Sequence, residues 1–172
     1  MPSPTHVKIE TVTVTSGGSA SIAFNSIPQT YTDLKLVLSL RNNVANTSSN
    51  VLMYFNGAGS GTNFPNMYIQ GNGGSVSTGA VNTMIGDLPG TSITSGYFGN
   101  IEVYIYDYAQ TTFYKHFHSR SAQEANSATA YMMNTVGRWN DSSAITSIRL
   151  DNRTSGSFTQ YSTATLYGIK NN

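Results

Sequence analysis

Leu34-Lys35-Leu36-Val37-Leu38-Ser39-Leu40-Arg41 carries a leucine at every second position. Alternate residues of a β-strand share a face, so the four leucines form one apolar face, and Lys35, Ser39 and Arg41 share the other. The segment reads as a strand with one side in a core. Upstream, His6 to Thr15 has Val7 and Ile9 in one phase and Val12 and Val14 in the other. That slip predicts a β-bulge, because one extra residue returns all four side chains to the same face. Ser16-Gly17-Gly18-Ser19 reads as a turn into a short strand with Ala20, Ile22 and Phe24, giving an expected N-terminal hairpin.

Downstream, a polar loop covers Asn42 to Asn50, and the strand Val51 to Phe55 ends at Asn56-Gly57, a pair suited to the positive φ angles of tight turns. Residues 57–99 are rich in Gly, Ser, Thr and Asn. They read as long loops with one or two short strands, at Met67-Tyr68-Ile69 and Ala80 to Ile85. Such loops serve either as functional surfaces or as bridges between two sheets.

Ile101 to Tyr108 is a strand with Ile101, Val103 and Ile105 on one face and Tyr104, Tyr106 and Tyr108 on the other. Thr111 to Ser119 is its expected hairpin partner, with Phe113, Lys115 and Phe117 opposite Tyr114, His116 and His118. Ser121 to Ser127 reads as a loop or a single helical turn, and Ala130 to Trp139 as a strand. Ile145 to Leu150 and Ser162 to Ile169 are the last two strands, with Asp151 to Gly156 a turn between them. The expectation is one all-β domain over residues 1–172, with residues 1–5 a flexible N-terminal arm. Eight to ten strands suit an antiparallel β-sandwich of jelly-roll type.

Composition agrees. Ser (22), Thr (21), Asn (17) and Gly (16) dominate the 172 residues, and charged residues are only 10%, which disfavours a helical bundle. A net charge of +1 supplies no field to hold nucleic acid or an anionic membrane. Zero cysteines exclude disulfides, a zinc ribbon and a thiol nucleophile. No secretory leader and no apolar run of membrane-spanning length is present, so folding in a cytoplasm is expected.

Chemistry-bearing patterns are sparse. His116 and His118 stand two apart on one strand face and point the same way. Cupin jelly rolls follow such a pair closely with a Glu. Here Glu124 is six residues on, the preceding Gly is absent and His6 is distant, so no metal site and no cofactor is expected. No nucleophile elbow occurs, and the eight acids are scattered, so no catalytic residues and no enzymatic activity are expected. The aromatics say more, with eleven Tyr against seven Phe and one Trp. Tyr104, Tyr106, Tyr108 and Tyr114, with His116 and His118 beside them, form a candidate interface or ligand surface. It is a subunit interface, a sugar-stacking platform, or a strip buried inside the sandwich and under loops.

Several phrases resemble segments recurring in virion structural proteins of tailed bacteriophages, especially those of aquatic and cyanobacterial phages. They are Ser26-Ile27-Pro28-Gln29-Thr30-Tyr31-Thr32-Asp33-Leu34-Lys35-Leu36 with Leu40-Arg41, then Tyr54-Phe55-Asn56-Gly57 and Ile105-Tyr106-Asp107-Tyr108-Ala109. Ile145 to Leu150, Phe158 and Ser162 to Lys170 complete the series. The resemblance implies a virion surface protein without enzymatic role. Some relatives form the end domain of a longer fibre. This chain begins at its own Met and runs almost directly into the first strand, so a capsid decoration (cement) protein is the expectation. It would bind the major capsid protein on the outer shell as a homotrimer after assembly in the host cytoplasm. The alternative is a tail-fibre or tail-tip module that binds host surface glycans through residues 57–99 and the tyrosines.

Overall fold

A computed structural model describes residues 5–58, 63–124 and 130–170. Of the expected arm, residues 1–4 lie outside the described residues. The strands in chain order are β1 His6–Thr13, β2 Ser21–Phe24, β3 Asp33–Leu40, β4 Ser49–Phe55, β5 Asn66–Gly71 and β6 Val76–Ala80. They continue with β7 Met84–Leu88, β8 Gly99–Ile105, β9 Lys115–Glu124, β10 Ala130–Trp139, β11 Ile148–Asn152 and β12 Thr163–Ile169. One sheet has the order β1-β12-β3-β8-β9-β10-β5-β6 and the other β2-β11-β4-β7.

Setting aside the hairpins β5–β6 and β9–β10 leaves β1-β12-β3-β8 facing β2-β11-β4-β7. The chain then crosses between sheets at every step except β4 to β7, which is jelly-roll connectivity. The antiparallel sandwich expected from the alternation is therefore present, with twelve strands among the described residues instead of eight to ten. The excess comes from residues 57–99, where three strands stand in place of one or two. Strand β7 is buried on both faces and so shows no alternation to read.

The four leucines of β3 are fully buried. With Ile101, Val103, Ile105 and Leu166 they meet Phe24, Met53, Phe55, Ile148 and Leu150 of the facing sheet. Each such side chain contributes about 1.5–3 kcal/mol of transfer free energy. The predicted bulge is at Ile9, where the register to β12 steps from Lys8↔Tyr167 to Glu10↔Leu166.

Two local expectations are corrected. The N-terminal hairpin does not form: β1 pairs with β12 and β2 with β11, in different sheets. The Ser16–Ser19 turn carries the chain across, resting against Phe158, whose N–H and C=O bond Ser19. Gly18 (φ +77°) is needed there, since a Cβ would sit 2.8 Å from the Phe158 carbonyl oxygen. Arg41 does not share a solvent face with Lys35. Its guanidinium is buried and donates to the carbonyls of Ile93 (2.6 Å), Thr94 (3.0 Å) and Tyr97 (2.9 Å), fastening the β7–β8 loop. Burial lowers its pKa.

The two extra hairpins enter at different points of the chain and join each other through β5 and β10. Their inner face covers β7. Ser119 Oγ donates to the Ile85 carbonyl (2.6 Å), Asn66 Nδ2 donates to the Met84 carbonyl (2.6 Å), and the Asp87 N–H donates to Ser121 Oγ (3.2 Å). Strand β9 therefore runs through Glu124, where a loop or helical turn was expected. Residues 125–129 of that expected segment lie outside the described residues.

Candidate functional site

Side chains alternate across the eight-stranded sheet, so the outward set falls into cross-strand rows. One row runs Lys35–Tyr104–His118–Val136–Met67, the next Val37–Glu102–Arg120–Asn134–Ile69–Thr78, and a third Ser39–Asn100–Ala122–Met132–Gly71–Val76. Apart from Val37 and Ala122, the rows are polar or aromatic over β3, β8 and β9, and they turn mostly apolar over β10, β5 and β6.

The polar end is a built cluster. Tyr104 Oη donates to Asp33 Oδ2 (2.7 Å), and the Asp107 N–H donates to Asp33 Oδ1 (2.8 Å). The Tyr104 ring stacks on His118 at 5.8 Å and 8°, and the Tyr106 ring centroid lies 4.7 Å from that of Tyr104. Tyr106 Oη shares a hydrogen bond with His118 Nδ1 (2.9 Å). Desolvation, then the bond to the Asp33 carboxylate, pushes the Tyr104 phenol well above its ordinary pKa. Beside it Glu102 takes Arg120 at 2.6 Å and Lys35 at 3.3 Å. The Arg120 hydrogen bond is the main reason its carboxyl titrates below the ordinary value. A hollow of about 210 Å³ opens among Lys35, Glu102, Tyr104, His118 and Arg120.

The apolar end is exposed. Met67 is 67% accessible, Ile69 48%, Val76 70%, Met132 61% and Val136 60%. With about 150–200 Å² for each fully exposed residue of this kind, the five present about 550 Å², near the upper end for the largest apolar patch of a monomer. A second hollow of about 410 Å³ lies at its margin, lined by Pro65, Met67, Ala80, His116, Val136 and Arg138.

The residues singled out from sequence divide into three places. Tyr104, Tyr106 and His118 are brought together. Tyr114 and His116 lie apart from them: the Arg138 guanidinium sits 5.6 Å over the Tyr114 ring, and His116 lines the larger hollow. Tyr108 is not on the surface at all. Strand β8 stops at Ile105, Asp107 takes φ +46°, and the reversed alternation sends Tyr108 into the core, where its hydroxyl donates to the Pro28 carbonyl. His116 and His118 do share an outward face, but the Nδ1 of His118 is engaged by Tyr106. Among the described residues no group of three or more His, Asp or Glu is placed to hold a metal ion.

Sequence reasoning missed the apolar face and Asp87. In Tyr131-Met132-Met133 the inward and outward methionines are adjacent, so the pattern does not say which is exposed. Asp87 is buried in β7 and accepts from Asn50 Nδ2 and Gln70 Nε2. Desolvation, partly offset by those two bonds, pushes its pKa up to about 6. The available signal was its place as the one acid within the apolar run Met84 to Leu88. No protein-family model, curated protein or solved structure matches this chain.

Proposed function

We propose that the chain is a virion structural protein of a tailed bacteriophage, a homo-oligomeric capsid decoration protein that seats its apolar outer face on the major capsid protein. The observation that carries this is the exposed face of Met67, Ile69, Val76, Met132 and Val136 on a paired sheet. A flat, preorganised apolar patch loses little conformational entropy on docking, and its polar margin at Glu102, Arg120 and Asn134 suits the rim of an interface. The jelly-roll fold and the ordered phage-like phrases of the sequence support the same reading. Quantitative mass spectrometry of purified particles tests it. Copies in fixed proportion to the capsid subunit are expected. A handful per particle, or none, refutes decoration. In a shell-binding assay Met67→Glu is expected to abolish co-sedimentation while thermal stability is kept, since that side chain is exposed.

A second reading is favoured by one observation, the hollow between Tyr104, His118, Glu102, Lys35 and Arg120 with Tyr106 beside it. Aromatic rings next to paired charges suit a sugar, as in a tail-fibre or tail-tip module for host glycans. A glycan array with Tyr106→Ala as control decides it. Wild-type binding lost in the variant supports the glycan role, and no binding rejects it.

A further inference from the structure

Four strands lie at sheet edges, and three of them are protected. Strand β1 carries Lys8, Glu10 and the bulge at Ile9, strand β2 has only four residues, and β7 is tied to the side chains of Ser119, Ser121 and Asn66. Charges, bulges, shortness and cover are the ordinary means by which edges avoid pairing with other chains. Strand β6, Val76-Ser77-Thr78-Gly79-Ala80, is one residue longer than β2 and has no charge, no bulge and, among the described residues, no cover. It holds no charge and no proline, its register to β5 is unbroken, and four of its five residues are exposed.

The open backbone groups can be identified. The Asn72 N–H donates to the Ser75 carbonyl at 3.1 Å and the Val81 N–H to the Asn66 carbonyl at 3.2 Å, bracketing the β5–β6 hairpin. Hydrogen-bonded pairs alternate along an antiparallel ladder, so Ser77 and Gly79 turn their backbone groups toward β5. Val76, Thr78 and Ala80 turn theirs outward.

We infer that β6 is the self-association edge of this protein, pairing antiparallel with β6 of a second copy about a two-fold axis through Thr78. The register is self-complementary. Thr78 stands opposite Thr78 of the other copy and Val76 opposite Ala80, so the outward N–H and C=O groups of all three residues pair. The row ending Met132–Gly71–Val76 then continues into the other copy's Ala80–Met67–Val136 row, apolar meeting apolar. A homotypic contact sets like against like, which is costly for a charged edge. Between Arg41 and Asp87 the chain has no Lys, Arg, His, Asp or Glu, so no such repulsion arises. An isologous contact of this kind closes as a dimer, unlike the trimer expected from sequence. It joins two apolar faces into one broad surface, and it goes beyond the decoration reading without depending on it.

The added strand pair is small beside a standard interface, so association is weak: mostly monomer at about 1 µM and mostly dimer at about 100 µM. Sedimentation equilibrium of the full chain reads this directly. Thr78→Lys and Thr78→Glu each set like charges across the axis and are expected to stay monomeric at the higher concentration. An equimolar mixture of the two is expected to dimerise again, because residue 78 faces its own counterpart. Thr11→Lys, at the opposite edge of the sheet, is expected to dimerise as the wild type does. A wild type that is monomeric or trimeric at about 100 µM overturns the inference. So does a Thr78→Lys dimer, or a mixture that fails to reassociate.

Discussion

Replacing Asp87 by Asn should stabilise the protein at neutral and alkaline pH and cost it about 1 kcal/mol in acid. The side chain is 1% exposed and receives two amide hydrogen bonds, yet burial raises its pKa from 3.8 to about 6. Because the folded-state value lies above the unfolded one, the protonated acid favours folding. That contribution is fully present below about pH 4 and is lost as pH rises through about 6. The shift of about two units corresponds to about 3 kcal/mol withheld from the native state at pH 8. Asn is neutral throughout and nearly isosteric, but it offers one acceptor oxygen where the carboxylate offers two, so Gln70 must turn its amide over. Allowing about 1 kcal/mol for that rearrangement leaves a gain of about 2 kcal/mol at pH 8, or about 4–8 °C in Tm for a chain of this size. Trp139 is the single tryptophan, is 2% exposed and packs on Phe55 and Phe64, so its fluorescence reports unfolding in urea. Titrations at pH 3 to 8, at protein concentrations low enough to avoid association, should show the difference between variant and wild type rising between about pH 4 and 6 and level above about pH 7. A difference that does not vary with pH, or a variant less stable at pH 8, refutes the reasoning.

Other perturbations test the remaining polar and packing devices. Arg41→Met strips three loop carbonyls of their donors and should cost about 2–3 kcal/mol, with faster hydrogen exchange over residues 90–98; Arg41→Lys should recover part of it. Gly137→Ala puts a Cβ 2.3 Å from Phe117 Cζ and must displace a ring packed on Phe55, so urea unfolding should show a loss of about 1–3 kcal/mol. Glu102→Gln removes the centre of the Lys35–Glu102–Arg120 triad. Because the triad is half-exposed, the loss should stay under about 1 kcal/mol and shrink further in high salt.

What the sequence made legible was wherever one strand face is apolar and the other is not. The leucine strand, the Ile9 bulge and the span of β10 all follow from phase alone. Where the inner face is polar, phase misleads. Ser119, Ser121 and Gln123 of β9 point inward because they bond the Ile85 carbonyl, the Asp87 N–H and the Thr47 carbonyl, so a buried strand reads as a loop. Strand β7 hides for the opposite reason, being buried on both faces. The β1–β2 hairpin was a pairing error: each strand has an apolar face, and the true partners, β12 and β11, lie more than a hundred residues away, beyond the reach of local pattern. Within the candidate site, Tyr104, Tyr106 and His118 were legible as outward aromatics. Tyr108 was not, because one residue at positive φ reverses the alternation after β8.

The two inserted hairpins connect these points. A lone two-stranded hairpin is marginal in water, and β5–β6 and β9–β10 enter the jelly roll at separate places. They are stable as a unit because β5 pairs with β10 and because β9 continues the sheet from β8. Their inner faces are committed to tying β7, through Asn66, Gln70, Ser119 and Ser121, so substitutions there strike the fold. Their outer faces bear no such duty, yet they carry Met67, Ile69, Val76, Met132 and Val136, which cost solubility and return nothing to the isolated chain. Exposed apolar side chains are concentrated on the part of the sheet that also ends in an unguarded edge, so the decoration contact and the self-association proposed above both draw on these two hairpins. The packed sandwich beneath them supplies the rigidity that makes a flat surface usable.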